Sequence, residues 1–142
     1  MRLLIAAILL STSTAWAAPL PGNIVEPYLQ IQVALAEDRF DGISALAKSV
    51  ETGASALGKD GEKLVASAKA LGQTKDIAAA RTAFGEVSSA LEAYAEKTKS
   101  TFPSDVRLAY CPMVNKSWRQ KGQEIRNPYY GAAMLTCGNF KS

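Results

Sequence analysis

The last third of the chain has a sequence that disfavours helices, unlike the part of the chain that precedes it. From Tyr110 to Gly138 it reads YCPMVNKSWRQKGQEIRNPYYGAAMLTCG. This stretch holds both cysteines of the protein and two of its three methionines. Its prolines, glycines and asparagines disfavour long helices, because these residues interrupt regular structure with turns. We therefore predict an irregular cap here, resting on the part of the chain that precedes it.

Four upstream segments carry apolar residues at i, i+3, i+4 and i+7, the spacing of an amphipathic helix. They cover approximately residues 24–36, 41–57, 61–71 and 75–99. Pro27 is expected in the first turn of the first helix, where a missing N–H is tolerated. Thr74 is expected to be the N-cap of the fourth helix. Gly58 and Gly72 are expected to end the second and third helices.

These patterns together predict an all-α fold, a four-helix up-down bundle with an irregular C-terminal cap that carries the Cys/Met motif. Alanine is abundant on all four helices, and small residues allow helices to approach closely in such bundles. The predicted division is a leader at 18–23, the bundle at 24–102 and the cap at 103–142, packed on the bundle. Within the cap, Val106 to Tyr110 is expected to be extended, and Tyr129 to Leu135 is expected to form one or two helical turns.

The first 17 residues have the pattern of a cleaved secretory signal peptide. Arg2 supplies a short positive region, Leu3 to Leu10 an apolar core, and Ala15-Trp16-Ala17 a cleavage site. The apolar core is too short to span a bilayer, which needs about 20 residues. We therefore expect cleavage after Ala17 and a periplasmic, or otherwise secreted, protein with no membrane association after cleavage.

The composition argues against several classes of function. Sixteen Lys and Arg residues against 13 Asp and Glu residues give a formal net charge of +3. This charge is small and evenly scattered, so we expect no nucleic-acid partner. The chain has no histidine, which removes Ser-His-Asp and Cys-His catalysis and most zinc sites. Without a recognisable acid, base and nucleophile, we predict that the protein is not an enzyme.

The two cysteines permit a disulfide between Cys111 and Cys137. The bond would close a loop of about 26 residues, which the chain-entropy model values at about 3 kcal/mol. An even cysteine count in an oxidising compartment is typical of such a bond. Under this interpretation the protein is a metal-free protein-interaction module whose cap is held by the disulfide.

The same residues also permit a metal site. Cys111 with Met113, and Met134 with Cys137, form two short pairs of sulfur donors. Thiolates mixed with thioethers select Cu(I), with Ag(I) as its mimic, whereas zinc prefers thiolates and imidazoles. Pro112 restricts the backbone between the first two sulfurs and lowers the cost of ordering them. Spacing alone leaves the disulfide and the metal site both open.

The tail also resembles a known family. Its YCPM, its later tryptophan, its EIRNPYYG and its closing M-x-x-C-G are similar to the motif of an uncharacterised exported domain family. Members of that family occur alone in bacterial periplasmic proteins, or fused to periplasmic adaptor subunits of copper and silver efflux pumps. The resemblance extends over roughly Ile24 to Gly138, and only its tail part is specific. The segment Val114 to Trp118 is shorter here than in the family pattern.

The resemblance implies a role in copper or silver handling, with Cys111, Met113, Met134 and Cys137 as the metal ligands. It also implies Cu(I) as the bound ion. The expected partners are the metal ion and a periplasmic efflux adaptor or another copper-handling protein. The sequence thus leads us to expect a periplasmic soft-metal binding protein, with the disulfide-held interaction module as the alternative.

Overall fold

The structure, a computed structural model, describes residues 17–142. The predicted signal peptide falls almost wholly on residues 1–16, outside the described residues. The helices are α1 (Gly22–Ala36), α2 (Ile43–Ser55), α3 (Glu62–Gly72) and α4 (Ile77–Thr98). The strands are β1 (Val106–Cys111), β2 (Lys116–Lys121) and β3 (Asn139–Phe140), with 3₁₀ turns at Gly58–Gly61 and Gly131–Met134. None of the helices within residues 17–142 combines the length and apolar character of a membrane span.

Three details of the helix boundaries differ from the predicted ones. Helix α2 ends at Ser55, and Gly58 begins a 3₁₀ turn and does not end the helix. Helix α1 begins at Gly22, so Pro27 lies inside the helix, buried, and not in its first turn. Helix α4 is capped by Asp76, whose carboxylate accepts the Ala79 N–H at 2.8 Å. Thr74 instead donates its hydroxyl to the Leu71 carbonyl at the end of α3. A carboxylate suits the N-terminus because its negative charge complements the helix dipole.

The helices share one apolar core. Helix α2 packs against both α1 and α3, and α3 also packs against α4. Helices α1 and α4 meet where the Tyr28 ring stacks on Phe84 with centroids 5.0 Å apart. The largest fully buried apolar side chains are Trp118, Tyr28, Phe84, Ile24, Ile31, Leu35, Ile43, Leu64, Leu71 and Leu91. Trp118 belongs to the cap, so the core extends from the helices into the cap.

The prediction of an all-α fold with an irregular cap is wrong. The cap contains a three-stranded antiparallel sheet of order β2-β1-β3, and the protein is therefore mixed α and β. Strands β1 and β2 pair along their whole lengths, with Val106 opposite Lys121 and Cys111 opposite Lys116. Strand β3 pairs with the other side of β1, where Phe140 lies opposite Ala109. The segment predicted to be extended is β1, while β2 and β3 lie in the region predicted to be irregular.

The sequence did not predict strand β2, because its residues, KSWRQK, include a single apolar side chain. The face that it buries consists of Trp118 and Gln120, and the indole N–H of Trp118 donates to the Gln120 amide oxygen at 2.9 Å. Because a polar residue occupies a buried position, apolar and polar residues do not alternate along β2 as they do in an amphipathic strand. The hairpin turn includes Asn115 at φ 52°, a left-handed conformation that asparagine tolerates.

Tyr28 of α1 and Tyr129 of the cap bind the outer edge of β2. The Tyr28 hydroxyl accepts the Arg119 N–H at 3.0 Å, and the Tyr129 hydroxyl donates to the Ser117 carbonyl at 2.7 Å. Burial raises the pKa of both tyrosines, so their hydroxyls stay protonated. Trp118 also packs edge-on against Tyr129, with ring centroids 5.8 Å apart. Tyr129 in turn contacts Phe84 of α4, so the sheet is fixed to the helices by the hydrogen bond to Tyr28 and by aromatic contacts.

Candidate functional site

The fold brings the two cysteines of the protein together. Cys111 is the last residue of β1, and Cys137 lies two residues before β3. Pairing of β3 with β1 places their Sγ atoms 3.2 Å apart, although 26 residues separate them in the chain. Both are free thiols. Two of the four sulfur ligands expected from the sequence therefore meet in space.

The two thiols differ in exposure and in charge. Cys111 is fully buried, whereas Cys137 is partly exposed. Burial raises the pKa of Cys111, but hydrogen bonds from the Val114 N–H, the Cys137 thiol, the Met113 N–H and the Asn127 side chain outweigh burial and lower that pKa. The hydrogen bond with Cys111, and then burial, raise the pKa of Cys137. The first negative charge of the pair therefore resides on Cys111.

Asn127 holds the segment that carries Cys137. Its side chain is fully buried, and its Nδ2 donates to the Cys137 carbonyl at 2.8 Å. Its Oδ1 accepts the Tyr129 N–H at 2.8 Å, and its backbone N–H donates to the Leu135 carbonyl at 2.7 Å. Sequence reasoning interpreted Asn127 only as part of a turn, and nothing in the sequence distinguishes it from an ordinary turn asparagine.

Gly138 allows Cys137 to lie beside β1. Its φ is +133°, a region that residues with side chains rarely adopt. A Cβ at this position would lie 2.8 Å from the Tyr110 carbonyl oxygen and 3.0 Å from a Trp118 ring carbon. Contact this close with backbone leaves no room for a side chain, so the Cys-Gly pair is needed to bring the thiols together.

The two methionines of the motif lie at the surface, Met113 two residues after Cys111 and Met134 three residues before Cys137. Met113 is 64% exposed and Met134 is 37% exposed. The Met134 carbonyl accepts the Cys137 N–H at 3.0 Å. The fold thus brings the thiols together in the interior, while both thioethers extend toward solvent and form no buried four-sulfur cluster.

Among the residues that the structure describes, no acidic or imidazole side chain joins the thiol pair in a group that could hold a metal. Within residues 17–142, no three His, Cys, Asp or Glu side chains are grouped so that they would hold a metal ion. An ion held by Cys111 and Cys137 would take its further ligands from the methionine thioethers, the backbone or water. The donor set of side chains is therefore purely sulfur, which suits a soft ion.

Much of the EIRNPYYG segment anchors the cap to the helices. Arg81 of α4 donates to the Pro128 carbonyl at 3.0 Å and to the Leu35 carbonyl at 2.9 Å, and it pairs with Asp38 at 2.6 Å. Asp38 also accepts the Ala132 N–H at 3.0 Å. The guanidinium and the carboxylate thereby join the end of α1, helix α4 and the segment that leads to Cys137.

Arg126 of the same segment is bound to α1 and to the residue that follows this helix. Its guanidinium donates to Glu37 at 2.9 Å, and its carbonyl accepts from the Gln32 side chain at 2.7 Å. The Arg126 N–H donates to the Gln120 amide oxygen at 3.0 Å. These residues therefore position the cap and are not themselves part of the thiol site.

Comparison of the chain with protein-family models, curated proteins and solved structures finds no match in any of the three. The likeness of the tail to an efflux-associated domain family stays a prediction based on its motif.

Proposed function

We propose that the protein is a periplasmic soft-metal binding protein that takes Cu(I), with Ag(I) as its mimic, in copper handling or efflux. Its ligands are Cys111 and Cys137, with Met113 and Met134 completing the shell. The observation that carries the proposal is the 3.2 Å separation of two free thiols, each with a surface methionine two or three residues away along the chain. The proposed partner is a periplasmic efflux adaptor or another copper-handling protein that receives the ion.

The protonation of the pair favours metal binding. Only a deprotonated cysteine acts as a ligand, and hydrogen bonds, first from the Val114 N–H and then from the Cys137 thiol, lower the pKa of Cys111 against its burial. A soft ion bonds thiolates more strongly than neutral thioethers. The two cysteines should therefore supply most of the affinity, and the methionines should tune it.

The position of Cys137 lets the pair open to admit an ion. Metal–thiolate bonds of about 2.3 Å, as in zinc sites, place two sulfurs on one ion roughly 4 Å apart. The 3.2 Å separation must therefore widen. Cys111 is fixed at the end of β1, so the partly exposed Cys137 is the residue that moves, and Met113 and Met134 need no change in the core to approach from the surface.

The same separation favours a second candidate function, the interaction module held by a disulfide. A disulfide bond is about 2.05 Å long, so a small approach of Cys137 toward Cys111 would form it. In that case the methionines would be exposed side chains without a metal. The two functions differ in whether the reduced protein binds Cu(I).

The test is a Cu(I) titration of anaerobically purified, reduced protein against a chromogenic Cu(I) chelator. Cys111→Ser and Cys137→Ser should each lower the affinity at least about 100-fold, because each removes a thiolate. Met113→Leu and Met134→Leu should each lower it about 10-fold, because leucine keeps the volume but has no sulfur. Ala133→Leu, an exposed change next to Met134, should leave the affinity unchanged.

Three results would count against the proposal. Serine variants that bind Cu(I) as tightly as the parent would remove the cysteines from the site. Equal binding by the oxidised protein would mean that the cysteines form only a disulfide and the thioethers bind the ion. Tighter binding of Cu(II) than of Cu(I) would contradict a sulfur site, since Cu(II) prefers nitrogen and oxygen donors.

A further inference from the structure

The two thiols of the site are unequally accessible. Cys111 is fully buried at the end of β1, while Cys137 is partly exposed. The rate of thiol–disulfide exchange depends on which sulfur a reagent can reach. A small molecule that approaches from solvent therefore meets Cys137 first, and Cys111 is accessible to Cys137 alone.

We propose that Cys137 is the site at which low-molecular-weight disulfides exchange with the protein, and that buried Cys111 resolves the resulting mixed disulfide. In the first step Cys137 passes its proton to the neighbouring Cys111 sulfur and, as a thiolate, attacks one sulfur of the small disulfide; the S–S bond breaks, and one small thiolate leaves. In the second step Cys111 gives that proton to the small thiolate that has left, and its thiolate attacks the Cys137 sulfur and displaces the other small thiolate, which takes a proton from water. The protein is oxidised by two electrons, and the small disulfide is reduced to two thiols.

The geometry of the pair suits the second step. The two sulfurs are already 3.2 Å apart, so resolution needs no rearrangement of the sheet. Asn127 holds the Cys137 carbonyl and Gly138 keeps the following backbone close to Tyr110, so Cys137 stays beside its partner. Holding the reacting groups together in this way makes the step intramolecular and fast. The mixed disulfide should therefore be short-lived in the parent protein.

Exchange would also control the proposed metal site. The disulfide removes both thiolates, so oxidation should release Cu(I), and reduction by small thiols should restore the site. This consequence rests on the proposed function, whereas the exchange reaction does not. All exchange experiments are therefore run with a metal chelator present.

The first experiment needs no variant. Reduced native protein is treated with a limiting amount of iodoacetamide, and the labelled positions are mapped by mass spectrometry. Cys137 should react at least about 10-fold faster than Cys111, because a buried thiol reacts only when the structure opens. Equal labelling, or faster labelling of Cys111, would overturn the assignment.

The second experiment uses oxidised glutathione. The parent should lose two hydrogens and carry no glutathione, because Cys111 resolves the mixed disulfide. Cys111→Ser should accumulate one glutathione on Cys137. Cys137→Ser should react at least about 10-fold more slowly than Cys111→Ser until denaturant exposes Cys111. Far-UV circular dichroism checks that both variants keep the helical content of the parent.

A stable glutathione adduct on the parent, or rapid reaction of Cys137→Ser in native conditions, would contradict the proposal. The result is separable from the proposed function. If exchange fails while the reduced protein binds Cu(I), the metal site remains and its redox control is excluded. If exchange succeeds and Cu(I) does not bind, the pair is a redox site without a metal.

Discussion

Gly138 is the residue on which the position of Cys137 depends most directly. Gly138→Ala should destabilise the protein by about 1–3 kcal/mol, the cost of a residue forced into a sparsely populated conformation. It should also slow formation of the Cys111–Cys137 disulfide, because the new Cβ would lie 2.8 Å from the Tyr110 carbonyl oxygen and push the segment away. Chemical denaturation measures the first effect, and loss of free thiols after oxidation measures the second.

Gly122 provides the matched control for this change. Its φ is +89°, and a Cβ there would have no neighbour within 4 Å. Gly122→Ala therefore carries conformational strain without the close contact. It should leave disulfide formation unchanged and cost less than Gly138→Ala. Equal effects of the two variants would contradict the close approach of Gly138 to β1.

Asp38 should make the stability of the cap depend on acid. Its pKa is lowered, first by the hydrogen bond from Arg81 and then by the Ala132 N–H. Because the folded-state pKa lies below the unfolded value of about 3.9, the carboxylate stabilises the protein above that pH. This stabilisation is lost as the pH falls through the folded-state pKa.

Asp38→Asn should therefore lower stability at neutral pH and flatten the decline of stability in acid. Urea unfolding at a series of pH values from about 6 to about 2.5 tests this. Asp41→Asn is the control, since Asp41 is exposed nearby and takes part in none of the ion pairs among the described residues. An acid slope for Asp38→Asn identical to that of the parent would disprove the role of this carboxylate.

At the scale of elements, the inner face of α4 contributes buried residues to the common core. Leu91 on this face is 1% exposed. Leu91→Ala should cost about 2–5 kcal/mol, as truncation of a buried leucine does when it leaves a cavity. Glu96→Ala, on the exposed face of the same helix, should change the free energy of unfolding by less than about 0.5 kcal/mol. Similar losses for both would mean that this helix is packed differently.

The helices were predictable because each repeats apolar residues at a period close to 3.6. Ile43, Ala47, Val50 and Ala54 show this in α2, and all four are buried. The hairpin was not predictable in the same way. Its second strand buries Gln120 beside Trp118, and the hydrogen bond that makes this burial possible comes from the fold and not from the local sequence.

The sequence identifies the residues of the candidate site, but it does not show that Cys111 and Cys137 lie in contact. The cysteines and methionines stand out in the sequence, but Cys137 reaches Cys111 only because β3, a strand of two residues, pairs with β1. So short a strand has no periodicity to detect. The contribution of Asn127 was also hidden, because its burial depends on the path of the chain from Asn127 to Cys137.

At the scale of the whole molecule, the helices and the cap should unfold together. Trp118 lies in the cap but is fully buried in the common core, and Arg81 and Gln32 bind cap carbonyls from the helices. In protein that begins at Ala18, Trp118 is the only tryptophan, so its fluorescence reports the cap, and far-UV circular dichroism reports the helices. The two urea transitions should have the same midpoint. Separate midpoints would mean that the cap is an independent unit.

The tyrosine hydroxyls on β2 have a consequence for how the molecule behaves at high concentration. An open strand edge is a template on which other chains add strands and aggregate. The outward-facing Arg119 N–H and Ser117 carbonyl of β2 are already bound by Tyr28 and Tyr129. On the opposite side of the sheet, β3 offers only two residues. Among the described strands, the two bound groups of β2 and the shortness of β3 both disfavour the addition of strands from other chains.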